Sequence, residues 1–190
     1  MDFKEPGLAD LIIHAYLLDL LTRPFYKRYV NSLVLEGNEK VLDFGCGCGS
    51  ASRYLAQCLL KGGGRLVCVD ISEALIKIAK KRLRKHPHVE LKVGEISTLN
   101  FENDSFDAVF IHFMLHDIEK QSRQEIVNTL SRILKDTGKL LIREPAKESH
   151  GMPVEEIREV MRASGLKEID FKVTRSLMTG QMYAGVFKKQ

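Results

Sequence analysis

No stretch of this chain is apolar for long enough to cross a bilayer. The candidate nearest the start, residues 11–21, is broken by His14 and Asp19, and it falls well short of the roughly 20 residues a membrane helix needs. It also lacks the basic flank and small-residue cleavage site of an export signal, since the chain opens with Asp2 and Glu5. A cytoplasmic address with no membrane partner is therefore expected. Glycine and proline are sparse, at 14 and 5, and show no period, which excludes collagen-like and low-complexity architectures. Charge of one sign is scarce too: 29 basic against 25 acidic side chains leave +4, too small an excess to imply nucleic acid without a localised patch. Cysteine is limited to Cys46, Cys48, Cys58 and Cys68. Cys46-x-Cys48 has no second Cys or His pair at ligand spacing, so no metal is expected, and the usage suits a reducing compartment.

What the chain does have is 44% apolar residues over 190 positions, enough to exclude disorder and to bury one full core. No linker divides it, so a single domain over 1–190 is expected, with a helical N-terminal part (1–36) and a core (37–190). Apolar residues at helical spacing predict a helix over 8–21, and Thr22 followed by Pro24 predicts a second over 24–34. From there strands and helices alternate. Strands are predicted at Lys40–Phe44, Arg65–Asp70, Val89–Val93, 106–111 and 139–143, the last followed by a short loop from Glu144 to Met152. Helices are predicted at 50–60, after Ser72 as N-cap, at 125–134 with Gly138 ending it, and at 153–164 with Gly165 as cap. The pattern predicts a parallel sheet covered on both faces. Two last strands, 171–175 and 182–187, have no room for a helix between them and must pair as an antiparallel hairpin.

The segment VLDFGCGCGS at 41–50 carries the most chemistry. Glycines at alternate positions let the turn follow its strand tightly and let backbone N–H groups approach a ligand, and in a doubly wound sheet that turn lies where ligands bind. Asp70 ends the next strand 21 residues beyond Gly49, where an acid accepts hydrogen bonds from a ribose diol. Asp43, two residues before the first glycine, would repel a dinucleotide's pyrophosphate. It favours a ligand whose non-adenosine half is cationic, which S-adenosyl-L-methionine is and NAD is not. The spacing GxGxG also departs from the GxGxxG of nicotinamide enzymes. The run Lys80-Lys81-Arg82-Leu83-Arg84-Lys85 ends a helix, complements its dipole and has no interleaved aromatics, so nucleic acid is not the expected partner.

Over residues 25–188 the sequence resembles the class I S-adenosylmethionine-dependent methyltransferases, in particular their small ubiquinone/menaquinone-biosynthesis-like branch. The matching segments are VLDFGCGCGS at 41–50, VDIS at 69–72, GEISTLNFENDSFDAVFIHFMLHDI at 94–118 and LSRILKDTGKLLIREP at 130–145. The resemblance implies an α/β, Rossmann-like doubly wound mixed sheet of strand order 3-2-1-4-5-7-6 with strand 7 antiparallel, here with an N-terminal helical lid. It implies that Asp43 and the turn of Gly45, Cys46, Gly47 and Gly49 hold the methionine half of S-adenosyl-L-methionine. Asp70 then holds the ribose, Ile71 packs on adenine, and Glu95, where aspartate is more usual, reaches the adenine amino group beside Ile96. The backbone carbonyl of His112 would meet the methionine ammonium. His116 opens Leu115-His116-Asp117 where the family more often has Leu-His-His. It is either a general base or a hydrogen-bonded structural group. The expected activity is methyl transfer to a small molecule by in-line displacement. A catalytically silent cofactor-binding partner or sensor, and an RNA or protein methyltransferase, are the alternatives.

Overall fold

The computed structural model describes residues 19–146, 151–176 and 180–190; of the predicted helix over 8–21, residues 8–18 lie outside the described residues. Seven strands form one sheet in the order β3-β2-β1-β4-β5-β7-β6, numbered along the chain as their ranges are given below. Their order and the antiparallel seventh strand are those the resemblance implies. The described residues fall into two compact units, one of those up to Glu39 with Cys46–Glu95, the other of Lys40–Gly45 with the residues from Ile96 onward.

The first unit holds α1 (Asp19–Ser32), α2 (Ser52–Leu60), β2 (Arg65–Asp70), α3 (Glu73–Leu83) and β3 (Val89–Val93). Strands β2 and β3 run parallel, with Leu66 opposite Val89 and Asp70 opposite Val93. Leu66 to Asp70 is buried without alternation, as expected of a strand covered on both faces. Ile76, Ala79 and Leu83 of α3 supply its inner stripe, as do Leu55, Ala56 and Leu59 of α2. Ser72 caps α3 as expected, its Oγ accepting from Leu75 N at 3.2 Å. Ser72→Ala should lower stability by about 0.5–2 kcal/mol, read as a lower urea midpoint at unchanged slope. The predicted break at Thr22 is absent. One helix, α1, runs through Pro24, because proline withholds a single N–H, the partner of the Leu20 carbonyl, and α1 continues past that loss.

The second unit holds β1 (Lys40–Phe44), β4 (Phe106–His112), a short 3₁₀ turn (Leu115–Asp117), α4 (Lys120–Ile133), β5 (Leu134–Pro145), α5 (Val154–Ala163), β6 (Leu166–Ser176) and β7 (Gly180–Lys189). β1 pairs with β4 and β4 with β5 in parallel; β7 pairs antiparallel with both β5 and β6. Val41, Leu42, Val109, Phe110, Ile111, Leu140 and Ile142 fill its core. Helix α4 begins five residues before the predicted 125, on polar residues that give no apolar period, and Gly138 does not end it. The carbonyls of Arg132 and Ile133 accept the N–H groups of Asp104 and Ser105, so the helix stops there. The chain turns extended at Leu134 and pairs with Phe106. β5 therefore includes Gly138 at one end and Glu144 at the other, where a loop was expected to begin.

Candidate functional site

The first unit takes up the chain again at Cys46, within the glycine turn that follows β1. Cys46 N donates to Val69 O at 3.0 Å and Gly49 N to Cys46 O at 2.9 Å, tying the turn to β2. Asp70, only 8% exposed, accepts from Gly47 N at 2.8 Å on Oδ2 and from Ser72 N at 2.9 Å on Oδ1. Burial pushes its carboxyl above the ordinary value, against the opposing pull of the Ser72, Gly47 and Ile71 N–H groups. With three backbone N–H groups acting on it, the carboxylate still has acceptor capacity left for a ligand hydroxyl. Gly47 has φ +53°, and among the described residues a Cβ added there would meet nothing within 4 Å. Gly49 serves packing instead: a Cβ there would lie 3.3 Å from the Ala79 side chain and 3.4 Å from that of Leu83. Ile71 is half-buried after Asp70, and Glu95 is exposed after β3. That loop is anchored where Gly94 N donates to Asp70 O at 3.0 Å.

One member of the basic run has a role its sequence did not signal. The Arg82 guanidinium donates to Cys48 O at 2.8 Å, to Cys48 Sγ at 3.1 Å and to Ser50 Oγ at 2.9 Å. The run therefore supplies a brace for the glycine turn as well as a solvated helix end.

In the second unit Asp43 is buried at the penultimate position of β1, opposite Phe110. Gly45 has φ +72°, and a Cβ there would lie 2.2 Å from Met114 Cγ. Gly45→Ala combines a left-handed backbone with that overlap and should cost roughly 1–3 kcal/mol, measured by chemical denaturation. Ile96 is buried. His112 ends β4 opposite Arg143, its ring stacked on Phe110 and tilted against Phe113. Burial, then the neighbouring Arg143 charge, push its pKa down to about 3, so the imidazole is neutral at physiological pH.

His116 sits in the 3₁₀ turn just beyond. Its Nδ1 lies 2.5 Å from Glu144 Oε2, and its Nε2 lies 3.3 Å from Asp117 Oδ1. Glu144 is 0% exposed; its Oε1 also accepts from Met114 N at 3.0 Å and Leu115 N at 2.7 Å. The Glu144 hydrogen bond raises the His116 pKa above its ordinary value; burial and Arg123 oppose it, while the Glu144 and Asp117 charges add to it. Arg123 of α4 closes the arrangement, donating to His116 O at 2.9 Å and Ile118 O at 2.8 Å, and pairing with Glu156 at 2.7 Å. Phe113 at the head of this loop has φ +57°, an uncommon conformation for a non-glycine residue. Glu144 and Arg123 were not singled out from the sequence. The available signal was an acid one residue beyond the apolar run of KLLIREP.

Residues 41–138, more than half of the chain, match the family described as "Methyltransferase domain". Demethylmenaquinone methyltransferase from Clavibacter sepedonicus is 33% identical over 104 residues, 55% of this chain and 40% of that one. The chain spans about half or less of the length of such curated relatives. Among solved structures, the N-methyltransferase NodS from Bradyrhizobium japonicum WM9, in complex with S-adenosyl-l-homocysteine, aligns at TM-score 0.75 and 15% identity, over 87% of this chain and 86% of that one. Burkholderia thailandensis 1,6-didemethyltoxoflavin-N1-methyltransferase aligns at TM-score 0.74 and 16% identity, over 100% of this chain and 93% of that one. At such identities these two likenesses bear on the fold.

Proposed function

The chain belongs to the methyltransferase domain family, and from that premise we propose that it is an S-adenosyl-L-methionine-dependent methyltransferase acting on a small-molecule acceptor by in-line displacement. The observation that carries the reading is the Asp70 carboxylate, fixed by Gly47 N and Ser72 N at the mouth of the glycine turn. A ribose diol fits that arrangement: the oxygens are oriented in advance by backbone N–H groups. Bound there, S-adenosyl-L-methionine supplies a sulfonium methyl that leaves a neutral thioether on transfer.

The chain's own residues divide the remaining work. Asp43, Gly45, Cys46, Gly47 and Gly49 take the methionine half; Ile71, Glu95 and Ile96 take adenine; His112 offers its backbone carbonyl to the ammonium. The neutral imidazole of His112 suits that place, because it adds no positive charge beside a cation. His116 takes the acceptor proton. The segment 1–36 covers the bound cofactor. This is supported by α1, which packs on α2 yet leaves Leu20 and Leu21 exposed.

Thermal shift with S-adenosyl-L-methionine, S-adenosylhomocysteine and NAD tests the cofactor. Stabilisation by the first two alone is expected, and a response to NAD alone would reject the reading. Release of S-adenosylhomocysteine on mixing with acceptor classes tests the activity; binding without release from any class would mark a silent cofactor-binding protein. Amides of Asp19–Ser32 should exchange more slowly when cofactor is present. Unchanged exchange there, alongside new protection of residues 45–49, would remove the covering role.

A further inference from the structure

We propose that β6 is the interface of a homodimer, in which two copies of the chain pair edge to edge and antiparallel about a two-fold axis between their Phe171 residues. β6 ends the sheet order β3-β2-β1-β4-β5-β7-β6. β7 occupies one side of its backbone, and among the described residues no strand pairs with the other. An edge strand of 11 residues presents a row of donors and acceptors to any chain that can match it. Apolar side chains also stand in water along this edge: Ile169 is 49% exposed, Phe171 53% and Val173 42%. Ile169 falls at the register shift between Glu168 and Asp170 and has no partner on β7. Phe171 lies opposite Gly185, which has no side chain to cover it. The Tyr183 ring at 6.5 Å and the Arg158 guanidinium of α5 at 4.9 Å attend Phe171, yet about half of it remains exposed.

The charges between these residues select the occupant. Asp170 and Lys172 are exposed, and their side chains make no ion pair among the described residues. A two-fold axis normal to the sheet gives antiparallel pairing and keeps each face of β6 on one face of the joint sheet. Placed between the two Phe171 residues, the axis sets Asp170 of each copy against Lys172 of the other, Ile169 against Val173, and Phe171 against itself. Moving the axis one residue either way opposes Asp170 to Asp170 or Lys172 to Lys172, and directly opposed like charges destabilise a pair of strands. Edges that avoid association carry proline, or charges that repel a second copy. LKEIDFKVTRS has no proline, and its central charges attract one. A different partner would have to reproduce both the charge order and the apolar spacing, whereas a second copy does so by symmetry.

The bulge limits the pairing. It interrupts β6 between Glu168 and Asp170, so the matched stretch runs from Ile169 to Val173. Lys167 and Arg175, which the same axis would oppose, lie beyond it. So short a stretch buries less than a standard interface, and association at micromolar concentrations is expected. β5 and β7 separate β6 from β4, so the pairing leaves His112 and the turn after it to each copy alone.

Sedimentation of the full chain between about 5 and about 200 µM should show the mass rise from 21.6 kDa towards twice that value. Asp170→Lys and Lys172→Asp each replace two attractive contacts with two repulsive ones, and each variant should dimerise roughly tenfold to a few hundredfold more weakly. Mixed in equal amounts, the two variants complement each other at both contacts, and a heterodimer of wild-type strength should form. Both exchanged side chains are exposed, so each variant should fold and keep the wild-type far-ultraviolet spectrum. A wild-type chain that stays monomeric across the range would overturn the proposal. A dimer indifferent to either reversal would lie on another surface and overturn it equally. Weakened single variants whose mixture stays monomeric would exclude this register, and the proposal with it.

Discussion

His116→Gln is expected to fold, to bind S-adenosyl-L-methionine with unchanged affinity, and to lose about 10²–10⁴ in turnover. Glutamine keeps an N–H for Glu144 Oε2, which His116 Nδ1 approaches at 2.5 Å, so the buried carboxylate keeps a donor and the fold keeps its brace. The variant lacks a nitrogen that can accept a proton. Were the residue structural only, that same retained donor would leave both stability and turnover close to those of the wild type. Denaturation and initial rates on the same preparation separate the two.

The pH dependence sharpens this. The folded pKa of His116 lies above its ordinary 6.5, so the folded protein holds that proton more tightly than the unfolded chain. The resulting stabilisation is fully present below pH 6.5 and is lost as pH rises through the folded value. Turnover follows the opposite course, since the base must be neutral: it should rise through that same value. One group therefore gives opposed slopes in stability and activity, and His116→Gln should flatten both. Urea titrations and rates measured from pH 6 to pH 9 would reveal whether the two slopes share a midpoint.

The strands were legible because their limits are chemical. β1, β2 and β3 end where predicted, at Phe44, Asp70 and Val93, the first two as short apolar runs and the third as the alternating VELKV that Gly94 stops. The antiparallel pairing of the last two strands followed from the terminal hairpin, which leaves no length for a crossover helix, whereas the order of the whole sheet was what the family resemblance implied. What escaped notice depends on partners distant along the chain. The end of α4 is set by N–H groups of Asp104 and Ser105, which no local pattern around Gly138 encodes. Glu144 bonds to groups 28 to 30 residues away; in sequence it is only an acid after an apolar strand. Arg82 likewise reads as one cation in a solvated run until the turn 34 residues before it comes within reach. Local propensity places elements, whereas a buried polar side chain is explained only by the groups that satisfy it.

Asp70→Ala should weaken S-adenosyl-L-methionine binding by roughly tenfold to a few hundredfold, from the loss of two hydrogen bonds to a charged acceptor at about 0.5–1.5 kcal/mol each or somewhat more. The substitution also removes the acceptor for Gly47 N and Ser72 N, so part of the loss would come from a loosened turn. Asp70→Asn separates the contributions. Its single side-chain oxygen can still take one backbone N–H, but it offers the ribose a neutral and half-filled partner, so affinity should fall more than stability does. Acidification of the wild-type protein does the same without a mutation. Burial raises the Asp70 pKa above 3.8, which means the folded protein takes up that proton before the unfolded chain does. For this group the fold gains stability as pH falls through the raised value and keeps it below pH 3.8. Cofactor affinity moves the other way, because a protonated carboxyl has lost half its acceptor capacity for the diol. Calorimetric titration between pH 7 and pH 4 should show affinity falling while the cofactor-free protein is not destabilised by Asp70 itself. Affinity that stays level in wild type and in Asp70→Asn would show that the ribose is held elsewhere.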